Sequence, residues 1–284
     1  MQIVPRATER SDGLGKFPQE SQIDGLSKID APSKIGRMAT PTRKQREFQQ
    51  REAMILDVAR ELLLERGYLA LNMDQVATRT EYSKGTIYQH FTCKEDLLME
   101  LATQTVNKRA DMFSRAAQFR GRTRERMTVI ALAEELFIKL YPHYFRVEQV
   151  FHTASIRAKA PERRQNALRT NELRCMSTAA GIIRDGLAQG DLILPASHTP
   201  EQVTFGLWSL NFGAYTIMST DSELLELGID DPIGTLAWGC HMMMDGLGWQ
   251  PLSTEWDYEA TLERAKDEVF PDECREVMTT AVTA

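Results

Sequence analysis

The chain has 284 residues, of which 42% are hydrophobic and 26% charged, and its formal net charge is −6. This is the composition of an ordinary globular protein, and no apolar run approaches the roughly 18 residues that a membrane span requires. The N-terminus also lacks the pattern of a secretory signal, so we expect an intracellular, cytoplasmic protein. Four scattered cysteines without a CxxC pair predict reduced thiols rather than disulfides or a zinc site.

Positive charge is concentrated near the N-terminus. Residues 1–42 have a surplus of one basic residue and residues 43–94 a surplus of two, whereas the remainder carries a net charge of −9. Because this acidic remainder repels polyanions, we expect any DNA partner to bind close to the N-terminus.

Residues 1–42 contain scattered prolines and glycines and show no helical or strand period, which predicts a disordered arm. The segment that starts at Met38 looks like the N-terminus of a translated protein. Our hypothesis is that translation starts there and that residues 1–37 are not translated, which an intact mass of the natively expressed protein tests.

A helical pattern begins at Gln45, and Gly67 is expected to end it as a C′ residue. A second, short helix is predicted from its N-cap Asn72 to a turn near Glu81. The apolar stripe of the first helix consists of Ile55, Val58, Ala59, Leu62 and Leu63.

Ser83 is expected to cap a third helix that spans residues 84–91. Thr92 and Glu95 then predict a capping box for a fourth helix. The apolar residues of that fourth helix are Leu97, Leu98, Leu101 and Val106.

Helical patterns continue to the C-terminus with no convincing strand, so we predict an all-α protein. The predicted helices span residues 123–141, 143–159, 161–189, 200–220, 231–249 and 258–269, and the chain after them is expected to be polar. The helices at 200–220 and 231–249 are apolar nearly all the way round. Such helices must be covered on every side, which predicts that they pack against a partner subunit.

The first three predicted helices, with a short turn between the second and third, have the layout of a helix-turn-helix, whose third helix enters the major groove of DNA. The start of the third helix has suitable chemistry. Lys84 can meet a phosphate, Gly85 lets the backbone approach DNA, and Thr86 offers a hydroxyl and a methyl group.

The rest of that helix adds longer side chains that can reach DNA and two apolar residues that can pack in the core. Tyr88 suits a phosphate oxygen, while Gln89 can either read adenine or contact a phosphate, and His90 has the same two alternatives. Ile87 and Phe91, four residues apart, are expected to anchor the helix in the core.

Several elements of this region recur in a fixed order and spacing: Gly67-Tyr68, Asn72-Met73, Val76-Ala77, the run from Ser83 to Phe91, and Lys94 to Leu97. Over roughly residues 45–100, the chain resembles the TetR/AcrR family of bacterial regulators. The resemblance implies a homodimeric transcriptional regulator with an N-terminal three-helix DNA-binding domain and a larger helical domain that binds a small ligand and dimerises. Together, helix chemistry and resemblance predict DNA contacts from Asn72, Ser83, Lys84, Gly85, Thr86, Tyr88, Gln89, His90 and Lys94.

Two positions depart from the family pattern. Glu81 stands where the family commonly has a turn glycine, and a non-glycine residue at positive φ costs about 1 kcal/mol while adding negative charge near DNA. Cys93 replaces the usual serine, and Thr92 beside it is expected to act as the cap.

We expect four segments: the arm (1–42), the helix-turn-helix domain (43–97), the ligand-binding and dimerisation domain (98–250) and a C-terminal extension (251–284). By resemblance, a small apolar or aromatic ligand releases a repressor from a palindromic operator; the alternative is a dimeric helical adaptor without ligand control. Candidate pocket walls, each of which could instead be core, are Phe137, Tyr141, Tyr144, Phe145, Phe151, Met176, Trp208 and Phe212.

No catalytic motif such as GxSxG, HExxH, a P-loop or GxGxxG occurs, so we expect no enzymatic activity, cofactor or metal site. The residues His143, His152 and His241 are expected to be polar groups on helices rather than metal ligands. The run from Met242 to Met244 is expected to fill the core or the dimer interface.

Overall fold

A computed structural model describes residues 42–151, 154–220 and 224–283. The predicted arm with Met38, and also His152, lie outside these residues. Helices and their connections make up the described part, with no strand in it. The helices are α1 (Arg43–Ala70), α2 (Met73–Thr80), α3 (Lys84–His90), α4 (Lys94–Ala116), α5 (Thr123–Leu140), α6 (Pro142–Phe151), α7 (Ala154–Lys159), α8 (Glu162–Gln189), α9 (Pro200–Met218), α10 (Pro232–Gly246), α11 (Tyr258–Glu268) and α12 (Pro271–Thr283).

The contacts of the chain divide it into two units, residues 1–45 and 46–284. In the first unit, Thr42 and Gln45 form a reciprocal cap at the start of α1. The Thr42 N–H donates to Gln45 Oε1 at 2.7 Å, and the Gln45 N–H donates to Thr42 Oγ1 at 3.3 Å.

The helical conformation of α1 is interrupted at Gly67, whose φ of 74° and ψ of 172° suit glycine. One further helical turn follows and ends at Ala70. The helix α1 therefore kinks at Gly67, where the sequence predicted its end. Most of the predicted stripe is buried, Val58 only in part, and the buried residues of α1 are Ile55, Leu56, Ala59, Leu62 and Leu63.

Helices α2 and α3 begin where their caps predict. Asn72 Oδ1 accepts from the Gln75 N–H at 2.9 Å, and Ser83 Oγ accepts from the Thr86 N–H at 3.1 Å. Between the two helices, Glu81 has φ 58° and ψ 22°. Glu81 therefore adopts the left-handed conformation of the turn, at the position where the family pattern commonly has a glycine.

The predicted capping box at the start of α4 is wrong, because the helix begins one residue later. Cys93 is the N-cap, and its Sγ accepts from the Asp96 N–H at 3.4 Å. The Asp96 carboxylate reaches back to the N–H and hydroxyl of Thr92, both at 2.9 Å. The side chain of Glu95 instead accepts from the Tyr68 hydroxyl at 2.8 Å.

The remaining helices follow the predicted pattern with three changes. Pro161 precedes α8 as its N-cap rather than being its first residue, and the segment predicted as one helix over 143–159 contains α6 and α7. The polar tail contains α12, which the sequence reading missed. Cys274 and Val277 of α12 pack partly buried against the core.

Two apolar cores lie within residues 46–284. Helices α1 to α4 form the first core with residues of α6, α7 and the start of α8. The second core lies among α5, α9, α10, α11 and the later parts of α4 and α8. Because α4 and α8 contribute to both cores, they are the elements that join the N-terminal helices to the rest of this unit.

A buried arginine closes the second core. The side chain of Arg124 has no exposed surface, and its Nη1 donates to Asp245 Oδ1 and to the Trp249 carbonyl, both at 2.6 Å. Its Nη2 donates to the His241 carbonyl at 3.3 Å. These bonds fix the end of α10 to the start of α5. In the part of the chain that the structure describes, no helix is both long and apolar enough to cross a membrane.

Candidate nucleic-acid interface and buried cavity

Helix α3 has one buried and one exposed side. Ile87 and Phe91 have no exposed surface, which confirms them as anchors in the first core. The opposite side is open, and half of the Tyr88 surface is exposed. The exposed residues there are Ser83, Lys84, Gly85, Tyr88 and Gln89, with Thr86 half-buried at the edge.

The predicted phosphate contact Lys84 lies at the N-terminal end of this exposed side. Its Nζ is 2.8 Å from Asp74 Oδ2 on α2, and the hydrogen bond to this carboxylate raises the pKa of Lys84. Both side chains are exposed, so the pair is weak and a phosphate oxygen can replace the carboxylate.

Gly85 has open space in front of it. A Cβ added there would meet only Ser83 Oγ, at 3.7 Å, which is an ordinary van der Waals contact. The fold therefore does not require glycine at this position. A requirement for glycine would have to come from something that approaches the helix from outside.

His90 does not share the exposed side of α3. Only 1% of its side chain is exposed, and its ring stacks on Phe48 with 3.9 Å between the ring centroids. Its Nδ1 lies 3.7 Å from Glu52 Oε2 and has no hydrogen-bond partner. This placement does not fit the predicted DNA contact and gives His90 the position of a packing residue between α3 and α1.

Asn72 and Lys94 flank α3 as expected but also have structural roles. Asn72 is exposed while capping α2. Lys94 is half-buried, with its Nζ 4.2 Å from the centroid of the Tyr68 ring and 3.4 Å from the Tyr68 carbonyl oxygen. Lys94 therefore ties the start of α4 to the end of α1.

A cavity of about 510 Å³ lies in the second core, and its lining comes mainly from α4, α5, α8, α9 and α10. Of the predicted wall residues, Met176 and Trp208 line it. The side chain of Phe151 is not among those described. The others pack outside the lining, and they are Phe137, Tyr141, Tyr144, Phe145 and Phe212.

Three charged residues that the sequence reading missed meet at this cavity. Arg109 Nη1 donates to Glu148 Oε1 at 2.7 Å, and its Nη2 donates to Glu148 Oε2. Arg109 Nε lies 2.9 Å from Glu134 Oε2, but without hydrogen-bond geometry, so both atoms are buried without a hydrogen bond. Their sequence signal is weak, because each stands alone on an otherwise apolar helix face.

The environment of Glu134 disfavours its charged form. Burial raises the pKa of its carboxyl to about 7, against the lowering by Arg109 and with a further rise from Glu148. The same two carboxylates raise the pKa of Arg109, although burial opposes this. The guanidinium therefore stays charged while Glu134 is near its midpoint at neutral pH.

Other charges around the cavity are paired. Arg157 donates to both carboxylate oxygens of Glu172, and Lys139 Nζ lies 2.5 Å from Glu135 Oε1. Burial lowers the pKa of His241, which also lines the cavity. Within the described residues, no group of three or more His, Cys, Asp or Glu side chains is placed to hold a metal ion.

Residues 55–101 match the family model of the bacterial regulatory proteins of the tetR family. A fatty acid metabolism regulator protein of Bacillus subtilis is 24% identical over 186 residues, which are 61% of this chain and 91% of the relative. The regulator QacR of Staphylococcus aureus is 43% identical over 47 residues, which are 16% of this chain and 25% of QacR.

Solved structures share the fold. A putative transcriptional regulator from Pseudomonas aeruginosa superposes with a TM-score of 0.58 at 15% identity, over 73% of this chain and 95% of that one. The regulator FadR from Bacillus subtilis, solved in complex with stearoyl-CoA, gives a TM-score of 0.54 at 15% identity, over 68% and 98% of the two chains. Residues 55–101 of this all-helical chain therefore form a helix-turn-helix of the tetR family, and the relatives and the shared fold support a transcriptional regulator of that family.

Proposed function

We propose that this regulator is a homodimeric repressor that binds a palindromic operator through the exposed side of α3 and leaves it when a small apolar or aromatic ligand occupies the cavity. The observation that carries the proposal is the course of α4. Three residues separate this helix from α3, and further along it carries Arg109 and Phe113, which line the cavity.

Helix α3 supports the DNA-binding part of the proposal. Its exposed side offers a cation, hydroxyl and amide groups, and backbone without a side chain at Gly85. Phosphates and base edges accept hydrogen bonds from such cationic, hydroxyl and amide groups. We place the DNA contacts on Lys84, Gly85, Thr86, Tyr88 and Gln89. His90 is left out of this set because its ring is buried.

The exposed apolar residues of α9 and α10 support the dimer. A second copy of this chain is the proposed partner, because two equivalent helix pairs would cover each other and form a four-helix interface. This places two copies of α3 for two operator half-sites, one helical turn of DNA apart. The residues concerned are Phe205, Leu210 and Ile217 on α9 and Trp238 and Met242 on α10.

Ligand control follows from linkage. A ligand that favours a dimer with wrongly spaced recognition helices must weaken operator binding by the same factor by which operator weakens ligand binding. Repression is the outcome that the family resemblance favours, and the protein would act in the cytoplasm, where the bacterial chromosome lies. FadR was solved in complex with stearoyl-CoA, whose acyl chain is apolar, and this supports a ligand with an apolar part in this fold.

Fluorescence anisotropy tests the proposal. The full chain is titrated against a labelled fragment from upstream of its own gene and against a scrambled duplex, at several salt concentrations. We expect tight, sequence-selective binding that weakens steeply with salt because counterions are released. Decanol is then added as an apolar probe without charge, and it is expected to release the operator.

Two results contradict parts of the proposal. Binding that is weak and equal for both duplexes, without salt dependence, would favour the dimeric adaptor. Selective binding that no apolar compound reverses would leave a DNA-binding regulator without the proposed ligand control. Light scattering of the free protein checks the dimer separately.

A further inference from the structure

Among the described residues around the cavity, the guanidinium of Arg109 faces two carboxylates, those of Glu134 and Glu148. In the described part of the chain, Arg157 pairs with Glu172 and Lys139 pairs with Glu135. These two pairs leave the cluster of Arg109, Glu134 and Glu148, in which one guanidinium faces two carboxylates.

The geometry of that cluster identifies which carboxylate is poorly satisfied. Both Nη atoms of Arg109 donate to Glu148, which is the bidentate arrangement that stabilises an arginine–carboxylate pair. Glu134 receives only the poorly aligned Nε. Its Oε2 has no hydrogen bond although the atom is buried. A buried acceptor in this state costs about 1–3 kcal/mol until a donor reaches it.

The remaining walls are mostly apolar, with polar side chains such as Asn211 and His241 among them. Residues of five helices give the cavity side chains without formal charge, among them Phe113, Ile130, Met176, Leu207 and Met244. A volume of about 510 Å³ is within the range of small-molecule sites in proteins. The cavity thus offers a large apolar space with one localised demand for a positive hydrogen-bond donor.

We propose that the cavity binds a ligand with an apolar body and a protonated amine, and that the carboxylate of Glu134 receives the amine. This inference rests on the proposed function and names the chemical class of its ligand. The N–H groups of the amine supply the missing donor, and its charge balances the second carboxylate, while the apolar body occupies the space between α5, α8 and α10.

An anionic ligand fits this cavity poorly. A carboxylate brought into the same space would meet Glu134 and Glu148, while the Nη atoms of Arg109 are already engaged by Glu148. Freeing the guanidinium would break its bidentate pair with the buried carboxylate of Glu148, which is costly. Charge therefore distinguishes this cavity from one built for a free fatty acid.

Isothermal titration calorimetry on the full chain, without DNA, tests the proposal with three probes of equal chain length. Decylamine, decanol and decanoate differ in head-group charge and share the apolar chain. At pH 8 the amine is protonated, since alkylammonium groups resemble lysine. We expect decylamine to bind at least about tenfold more tightly than decanol, and decanoate more weakly than decanol.

Variants locate the effect. In Glu134→Gln, the preference of decylamine over decanol is expected to disappear while decanol binding remains, which also shows that the cavity is intact. Glu263→Gln is the matched control, because Glu263 is exposed on α11 and pairs with Lys266. That variant should keep the full preference.

The outcomes separate this inference from the proposed function. Decanol or decanoate binding as tightly as decylamine overturns the amine assignment, while ligand control stands if decanol still releases the operator. Failure of all three probes to bind overturns the assignment as well. An unchanged preference in Glu134→Gln would overturn the role of Glu134 itself.

Discussion

Arg164 on α8 and Asp96 in the first turn of α4 are joined by a hydrogen bond of 2.8 Å between Nε and Oδ1. Asp96 has no exposed side-chain surface, and its other oxygen accepts from Thr92, which lies between α3 and α4. The same guanidinium also donates to Glu100. Since α8 further along lines the cavity, this contact ties a cavity-lining helix to the chain next to α3.

Replacing Arg164 by methionine keeps much of the apolar stem and removes the charge. We expect Arg164→Met to lower the free energy of unfolding by about 3 kcal/mol, because the buried Asp96 carboxylate loses the cation that donates a hydrogen bond to it. Urea denaturation at neutral pH measures this. Arg163→Met is the matched control: Arg163 is 64% exposed and 3.6 Å from the same carboxylate, so its loss should cost less than about 1 kcal/mol.

The same pair of proteins gives a pH test. Although burial raises the pKa of Asp96, the hydrogen bonds from Thr92 and Arg164 outweigh it and hold the pKa below its ordinary value. This stabilisation is present above the unfolded-state pKa of about 4 and is lost as pH falls through the folded-state pKa. The stability difference between wild type and Arg164→Met should therefore be constant near neutrality and shrink in acid.

Gly85→Ala should separate folding from DNA binding. Alanine fits the helix and its Cβ meets only Ser83 Oγ, so thermal stability is expected to rise by up to about 1 kcal/mol. Operator binding should weaken by about 1–3 kcal/mol, because the methyl group holds the helix away from DNA. Gly181→Ala on α8, where a Cβ meets no atom within 4 Å, should leave operator binding unchanged. Equal binding by both variants would contradict a close backbone approach.

Lys84→Ala should weaken binding to operator and scrambled duplex alike and reduce the salt slope by about one. Its unfolding should not change, since the side chain is exposed and its pair with Asp74 is weak. Anisotropy titrations in salt and thermal unfolding measure the two effects. Lys266→Ala, which removes a cation from α11, serves as the control and should leave the slope unaltered.

Glu81 has two unfavourable features that mutations can separate, its left-handed backbone conformation and its negative charge near the proposed DNA contacts. Glu81→Gly should stabilise the protein by about 0.5–1 kcal/mol, because glycine adopts the observed φ of 58° without strain. Glu81→Gln keeps the strained conformation and removes the charge, so it should strengthen DNA binding at low salt without a gain in stability. Chemical denaturation and anisotropy distinguish the two, and identical behaviour of both variants would rule out a separate backbone effect.

Glu134→Gln should change how stability depends on pH. The folded-state pKa of Glu134 is about 7 against an ordinary value of 4.5, so the folded protein loses stability as pH rises from about 4.5 to about 7 and no more above that. The glutamine variant lacks this loss and should be more stable than wild type by roughly 2 kcal/mol at pH 8, but not at pH 5. Arg109 and Glu148 face the carboxyl and are kept in both proteins. Parallel stability curves for the two proteins between pH 5 and 8 would contradict the raised pKa.

The sequence predicted the helix-turn-helix well because its signals are local. Asn72 and Ser83 cap helices through bonds to residues three positions later, and Ile87 and Phe91 share a face by helical period. The start of α4 was misassigned because Tyr68, 27 residues earlier, recruits Glu95. Such a partner is invisible to a local pattern.

The cavity was predicted less well for the same reason. Arg109 and Glu148 are 39 residues apart and meet only when α4 and α6 pack. Aromatic residues occur both in cavity walls and in the ordinary core. The residue type alone therefore could not show that Trp208 lines the cavity while Phe137 is fully buried in the core. Tertiary packing, rather than residue type, decides which side chains face a cavity.

The burial of Arg124 sets an order of assembly during synthesis. Its partners on α10 and after it lie between 117 and 125 residues later in the chain, whereas the contacts that tie α4 to α1 span fewer than 30 residues. A ribosome releases the helix-turn-helix long before it makes Asp245 and Trp249, and local contacts close first. Until those residues emerge, the guanidinium of Arg124 must remain in water, since burying it alone is prohibitively costly. Helices α1 to α3 can therefore be complete on the nascent chain while the cavity of the second core is still open.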